Sequence, residues 1–207
     1  IYNDYFYERH NEMWGALAYR KLSMVLERTN MLVTAEDLGV LPDCVQPTLD
    51  ALRILTLEVQ TLPKQHGLEF AHLEANPYLS VATISTHDMP PLRLWWQERP
   101  EAAQHYYRDR MQKEGRPPVA LTTTLAEEIV SRHLYSPSML CLLSLQDWLA
   151  VDAEMRNPDP RSERINIPGD CYNRWSYRMH VNIEQLIADE QLNKKLRTIV
   201  ERSKRNV

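Results

Sequence analysis

Thr34-Ala35-Glu36-Asp37-Leu38-Gly39, read together with Ser85-Thr86-His87-Asp88, decides the expected fold of this chain. In each stretch a short apolar run, Met31-Leu32-Val33 or Val81-Ala82-Thr83-Ile84, breaks into acidic residues and then a glycine or proline. Carboxylates are presented in this way at the carboxyl ends of parallel barrel strands. Two such ends predict one shared crevice for Glu36 and Asp88.

Outward from these motifs, helix-like and strand-like patterns alternate. Residues 8–28 place Met13, Trp14, Leu17, Leu22, Val25 and Leu26 at helical spacing, which reads as a core-facing helix with Met13 and Met24 in the core. Met31-Leu32-Val33 follows as a buried strand. Residues 44–52 suit a helix shortened or kinked by Pro47, and residues 54–59 a second strand. Residues 61–79 form a loop long enough to suggest a function of its own. Residues 81–84 make the third strand. Pro90 and Pro91 suit the first turn of the next helix, where Trp95 and Trp96 are read as packing residues. Helical pieces over 101–113 and 122–134 lead to a fourth strand at 139–145. A loop over 157–173 and a terminal helix over 182–204 complete the chain. Four near-continuous apolar strands separated by helices predict an α/β protein with a parallel sheet covered by helices. That is half of an eight-stranded barrel, and 207 residues fall short of the about 250 of the complete fold. Half a barrel has unpaired sheet edges, which invite self-association or pairing with a missing half.

The composition narrows the function. A net charge of -4 gives no electrostatic basis for holding a nucleic-acid backbone, so no nucleic-acid partner is expected. The basic residues from Lys194 to Arg205 alternate with Leu196, Ile199 and Val200, as on a solvated helix face. Cys44, Cys141 and Cys171 are odd in number and lack CxxC spacing, which argues against a disulfide framework or zinc site and for the cytoplasm. No apolar run approaches the length that spans a bilayer, so no membrane partner is expected. The opening Ile1-Tyr2-Asn3-Asp4 has neither an initiator Met nor a signal pattern and reads as part of something longer.

A converging pair of carboxylates is what glycosidic bond cleavage requires, one as acid and base, another to stabilise an oxocarbenium-like carbon. An acid after a strand also serves as a helix cap, and both roles stay open for Glu36 and Asp88. His87 either binds sugar hydroxyls or is structural. Trp175 and Tyr172, in the late loop, either stack on a sugar or pack the loop. No HxH or HExxH spacing is present, so no metal is expected.

Ala35-Glu36-Asp37-Leu38-Gly39, Thr86-His87-Asp88, Leu145-Gln146-Asp147 and Arg164-Ile165-Asn166-Ile167-Pro168-Gly169, in this order and spacing, resemble the amylomaltase or disproportionating-enzyme family of 4-α-glucanotransferases. Cys44 in Leu41-Pro42-Asp43-Cys44-Val45, Leu92-Arg93-Leu94-Trp95-Trp96 after Asp88, and Trp175-Ser176-Tyr177-Arg178-Met179-His180 resemble its large plant-cytosolic and bacterial subgroup. The resemblance implies the C-terminal half of a (β/α)8 barrel, about strands five to eight, with long βα loops and a C-terminal helix. Residues 1–207 would be part of a catalytic domain, with the N-terminal half and any starch-binding domains elsewhere. It places the general acid/base on Glu36, the transition-state-stabilising aspartate on Asp88, and His87 at the sugar hydroxyls. Asp37, with helix capping as its alternative, and Asn166, with loop ordering as its alternative, resemble positions that touch the glucan. Gln146 and Asp147 would support the site. The implied reaction is transfer of α-1,4-glucan segments by retaining double displacement, without a cofactor. The family's nucleophilic aspartate has no counterpart in this chain and is expected upstream, so these 207 residues alone are expected to be inactive. A non-catalytic carbohydrate-binding module and an α-glucan hydrolase are the alternatives.

Overall fold

The structure of the protein, a computed structural model, describes residues 2, 3, 8 and 10–205. Ile1 and Asp4 of the opening Ile1-Tyr2-Asn3-Asp4 and the last two residues of the chain lie outside them. The chain divides into two compact units, Ile1–Ala82 with Pro137–Cys141, and Thr83–Ser136 with Leu142–Val207.

The first unit holds the sheet. Its elements are helix α1 (Asn11–Leu26), helix α2 (Val45–Leu52), and strands β1 (Thr56–Val59), β2 (Ser80–Thr83) and β3 (Leu140–Cys141), hydrogen-bonded in the order β1-β2-β3. Strands β2 and β3 run parallel, Val81 opposite Leu140 and Ala82 opposite Cys141. Every residue of β2 is buried, as a central parallel strand covered on both faces requires. At the start of β2 and just before β3, the Ser138 hydroxyl oxygen accepts from Ser80 Oγ at 2.7 Å and from Asn76 Nδ2 at 3.0 Å, which satisfies polar groups that the sheet buries.

The structure corrects three expectations here. Met31-Leu32-Val33 is not a buried strand: Met31 is 77% and Leu32 57% exposed, and pairing is reduced to one parallel bridge between Thr34 and Leu55. That bridge rests on Ala35 N–H to Leu55 O at 2.8 Å and Leu55 N–H to Val33 O at 3.1 Å. The fourth strand, expected over 139–145, is only Leu140–Cys141, because the Ser144 hydroxyl accepts the Asp147 N–H and starts a helix at Leu145. Helix α1 buries no residue, and Met13 and Met24, read as core, are 56% and 59% exposed. It packs against α2, and helical periodicity records which face could be covered rather than whether it is. Pro47 leaves α2 unbroken, since it occupies the first turn, where its missing N–H has no intrahelical partner to lose. The backbone N–H of Cys44 donates to Asn11 Oδ1 at 3.1 Å and ties α2 to α1.

The second unit is helical. Its helices are α3 (Leu92–Glu98), α4 (Pro100–His105), α5 (Thr123–Leu134), α6 (Leu145–Leu149), α7 (Ile183–Ala188) and α8 (Glu190–Arg202), with a π turn at Tyr106–Arg110 and a 3-10 turn at Pro160–Glu163. Trp95 and Trp96 are buried packing residues, and the Trp96 indole N–H donates to Pro118 O at 2.9 Å. Thr122 caps α5, whose Leu125, Ile129 and Val130 face inward as expected. The terminal helix is two helices rather than one. Asp189 leaves helical geometry and its side chain accepts the Leu192 N–H, which ends α7 and caps α8. Helix α8 buries Leu192 and Ile199 and packs against α5. Among the described residues no helix is long and apolar enough to cross a membrane.

Candidate active site

In the first unit Glu36 and Asp37 follow the Thr34 bridge, and alternation along the extended chain separates their fates. Glu36 is exposed. Asp37 is 4% exposed: its Oδ1 accepts the Leu57 N–H at 2.8 Å and its Oδ2 takes Lys64 Nζ at 2.6 Å. Lys64 also reaches Glu58 Oε1 at 2.7 Å, and the Thr56 hydroxyl donates to that oxygen at 2.8 Å. Asp37 therefore pins the Glu36 segment to β1 instead of capping a helix. Glu58 and Lys64 were not foreseen as parts of this cluster. The signal was a lone acid within an apolar strand.

In the second unit four of the expected residues meet. Asn166 Nδ2 donates to Asp88 Oδ1 at 2.6 Å, and Asn173 Nδ2 donates to Asn166 Oδ1 at 2.6 Å. That second bond fixes which way the Asn166 amide faces, so its NH2 points at the carboxylate. His87 Nε2 lies 3.4 Å from Asp88 Oδ2, and the His87 and Trp175 rings are 4.9 Å apart and tilted by 43°. The His87 and Asp88 side chains are 43% and 44% exposed, and Trp175 and Tyr172 are exposed too. The Asp88 carboxylate is thus oriented by an amide while part of it stays open to a ligand.

A buried frame holds this group. Asp147, on the first turn of α6, accepts the Leu92 N–H at 2.9 Å on Oδ1 and the Ser85 hydroxyl at 3.1 Å on Oδ2. One carboxylate so anchors both ends of the loop that carries His87 and Asp88. Burial pushes the Asp147 carboxyl above its ordinary range, against the hydrogen bonds it accepts. Arg93 of α3 forms a buried ion pair with Glu163, Nη1 to Oε1 at 2.9 Å. Arg164 makes a two-pronged pair with Glu98, 3.1 Å on each prong. Asn166 stands two residues beyond this last anchor. The support expected of Gln146 is also present, its Nε2 donating to Glu163 O at 3.1 Å.

Burial raises the Glu163 carboxyl from 4.5 to about 7, with Arg93 pulling the other way. The unfolded chain releases this proton first, so stability falls as pH rises through that window. The contribution is on the order of 3 kcal/mol. His133 acts in the opposite sense: burial lowers it from 6.5 to about 4, so its contribution is present above 6.5 and lost as pH falls. The readout is therefore the difference between two curves. Urea unfolding across this pH range is expected to show that Glu163→Gln gains stability relative to wild type as pH rises from about 5 to 7, and parallel curves would refute the assignment.

A family model described as 4-alpha-glucanotransferase matches residues 1–184. The 4-alpha-glucanotransferase DPE2 of Oryza sativa subsp. japonica is 31% identical over 206 residues, covering 100% of this chain and 22% of the rice protein. The 4-alpha-glucanotransferase of Chlamydia muridarum is 32% identical over 182 residues, covering 86% of this chain and 34% of its own length. The amylomaltase from Streptococcus agalactiae in complex with acarbose shares the fold with a TM-score of 0.66 at 17% identity, covering 93% of this chain and 35% of that one. The chain thus spans 22% to 34% of the length of these curated relatives. A match running over residues 1–184, through both carboxylate motifs and the Asn166 loop, means that this chain belongs to the 4-alpha-glucanotransferase family.

Proposed function

We propose that these residues contribute the acid/base and the transition-state carboxylate to a retaining 4-α-glucanotransferase, within the C-terminal half of a (β/α)8 barrel, about strands five to eight. The observation that carries the reading is the Asp88 carboxylate held at 2.6 Å by Asn166, with His87 between it and Trp175. A carboxylate fixed in this way needs no reorganisation when positive charge develops on a sugar ring, which is where electrostatic catalysis gains most. Trp175 and His87 supply a ring surface and a polar edge beside it, suited to one glucose unit.

The exposed Glu36 protonates the oxygen of the departing glucan and then takes the proton from the 4-hydroxyl of an acceptor glucan. Asp37 acts by holding that segment in place. Asn166 and His87 bind the sugar at the cleavage point. The attacking carboxylate comes from residues outside these 207, none of which matches the family's nucleophile motif, and no cofactor takes part. Incubating the complete enzyme with maltotriose is expected to give a ladder of longer glucans, whereas glucose and maltose alone would assign hydrolysis instead. The 207 residues by themselves are expected to give no ladder, because without a nucleophile no covalent intermediate forms.

A further inference from the structure

Two segments meet at Asp88: the loop after β2 that carries it and the loop from Arg164 to Asn173 that carries Asn166 and Asn173. A buried ion pair joins them at a second point. Arg93, five residues past Asp88, donates through Nη1 to Glu163 Oε1 at 2.9 Å and to Asn157 O at 2.7 Å. Glu163 stands three residues before Asn166, and the two side chains of the pair are 8% and 2% exposed. The result is a closed ring: Asp88, the start of α3, Arg93, Glu163, the short backbone to Asn166, and Asp88 again. Any slip of the loop along α3 must break either the buried pair or the 2.6 Å bond. A buried ion pair often contributes no more stability than apolar side chains of the same volume, so placement is the better account of its presence.

We propose that Arg93 and Glu163 are a positioning pair for glucan transfer, holding Asn166 in register with the Asp88 carboxylate without touching the sugar. The proposal rests on the reading of Asp88 as the transition-state carboxylate. Lysine keeps the charge, but its side chain ends one bond short of the Nη1 position from which Arg93 serves both acceptors, so its ammonium has to draw the two segments out of register to reach them. In the complete enzyme, R93K is expected to lower kcat on maltotriose by about 10²-fold per folded molecule, with KM little changed, as misplacement of about 1 Å does. Glu163→Gln keeps the volume and an oxygen that can accept from Arg93 but not the charge, and is expected to lower kcat per folded molecule in the same direction. The pair acts through Asn166, so R93K on an Asn166→Ala background is expected to cost little more. If R93K and E163Q leave kcat per folded molecule unchanged, or if R93K and N166A multiply in full, the pair is only structural and the proposal falls. If N166A alone leaves kcat unchanged, the reading of the Asp88 site falls first and the proposal with it.

Discussion

Glu36→Gln in the complete enzyme is expected to lower glucan transfer between maltotriose molecules by about 10³-fold. Glutamine keeps the shape of the exposed side chain but can neither give nor take a proton, so under the proposed role of Glu36 both half-reactions lose their acid/base. The cost depends on the leaving group. A glucan oxygen must be protonated as it departs, whereas fluoride departs unaided, so an α-glucosyl fluoride should form the covalent intermediate on the variant at near the wild-type rate. That intermediate then waits for an acceptor whose hydroxyl no base activates, and intact-protein mass spectrometry should find it accumulated. A variant within tenfold of wild type on maltotriose would remove Glu36 from the acid/base role. Equal loss on both donors would make Glu36 a binding residue instead.

Asp147→Ala is expected to destabilise the second unit by about 3 kcal/mol, because it leaves the Leu92 N–H and the Ser85 hydroxyl without their acceptor. Asparagine should behave differently. Its carbonyl can still accept from Leu92 and its NH2 can donate to the Ser85 oxygen, so Asp147→Asn is expected to cost under about 1 kcal/mol. Asparagine also removes a titration. The folded Asp147 is held above its ordinary pKa, so its ionisation costs stability as pH rises from the unfolded value toward the folded one, and the Asn variant should lose that slope. Equilibrium unfolding of both variants checks this, and equal losses for Ala and Asn would show that the hydrogen bonds contribute nothing. Loss of Asp147 also frees both ends of the His87-Asp88 loop, so transfer should fall in the Ala variant even where it remains folded.

His87, Asp88, Asn166 and Trp175 were picked out from short motifs along the sequence, and the second unit brings these four side chains together. Short motifs report chemistry that neighbours along the chain arrange. Trp95 and Trp96 were legible as packing because adjacent helical positions cannot both face a ligand. The apolar residues expected in the core and found exposed share one cause. Met31, Leu32, Met13 and Met24 have apolar side chains at the right spacing, but burial needs a covering surface, and spacing does not say whether one is there. Cys141 and Leu142 continue an apolar run that looks like strand, and one serine ahead of Leu145 was enough to end it.

The sequence by itself determined the places of α1, α2, α3 and α5, the order of the two carboxylate motifs and the family, because each depends on residues close together along the chain. Only the tertiary structure decided that Asp37 faces Lys64 rather than a helix end, that Arg93 finds Glu163 seventy residues away, and that Asn166 reaches Asp88 across seventy-eight. A carboxylate's role depends on which donors surround it and how much water they displace, and those partners are brought together by packing.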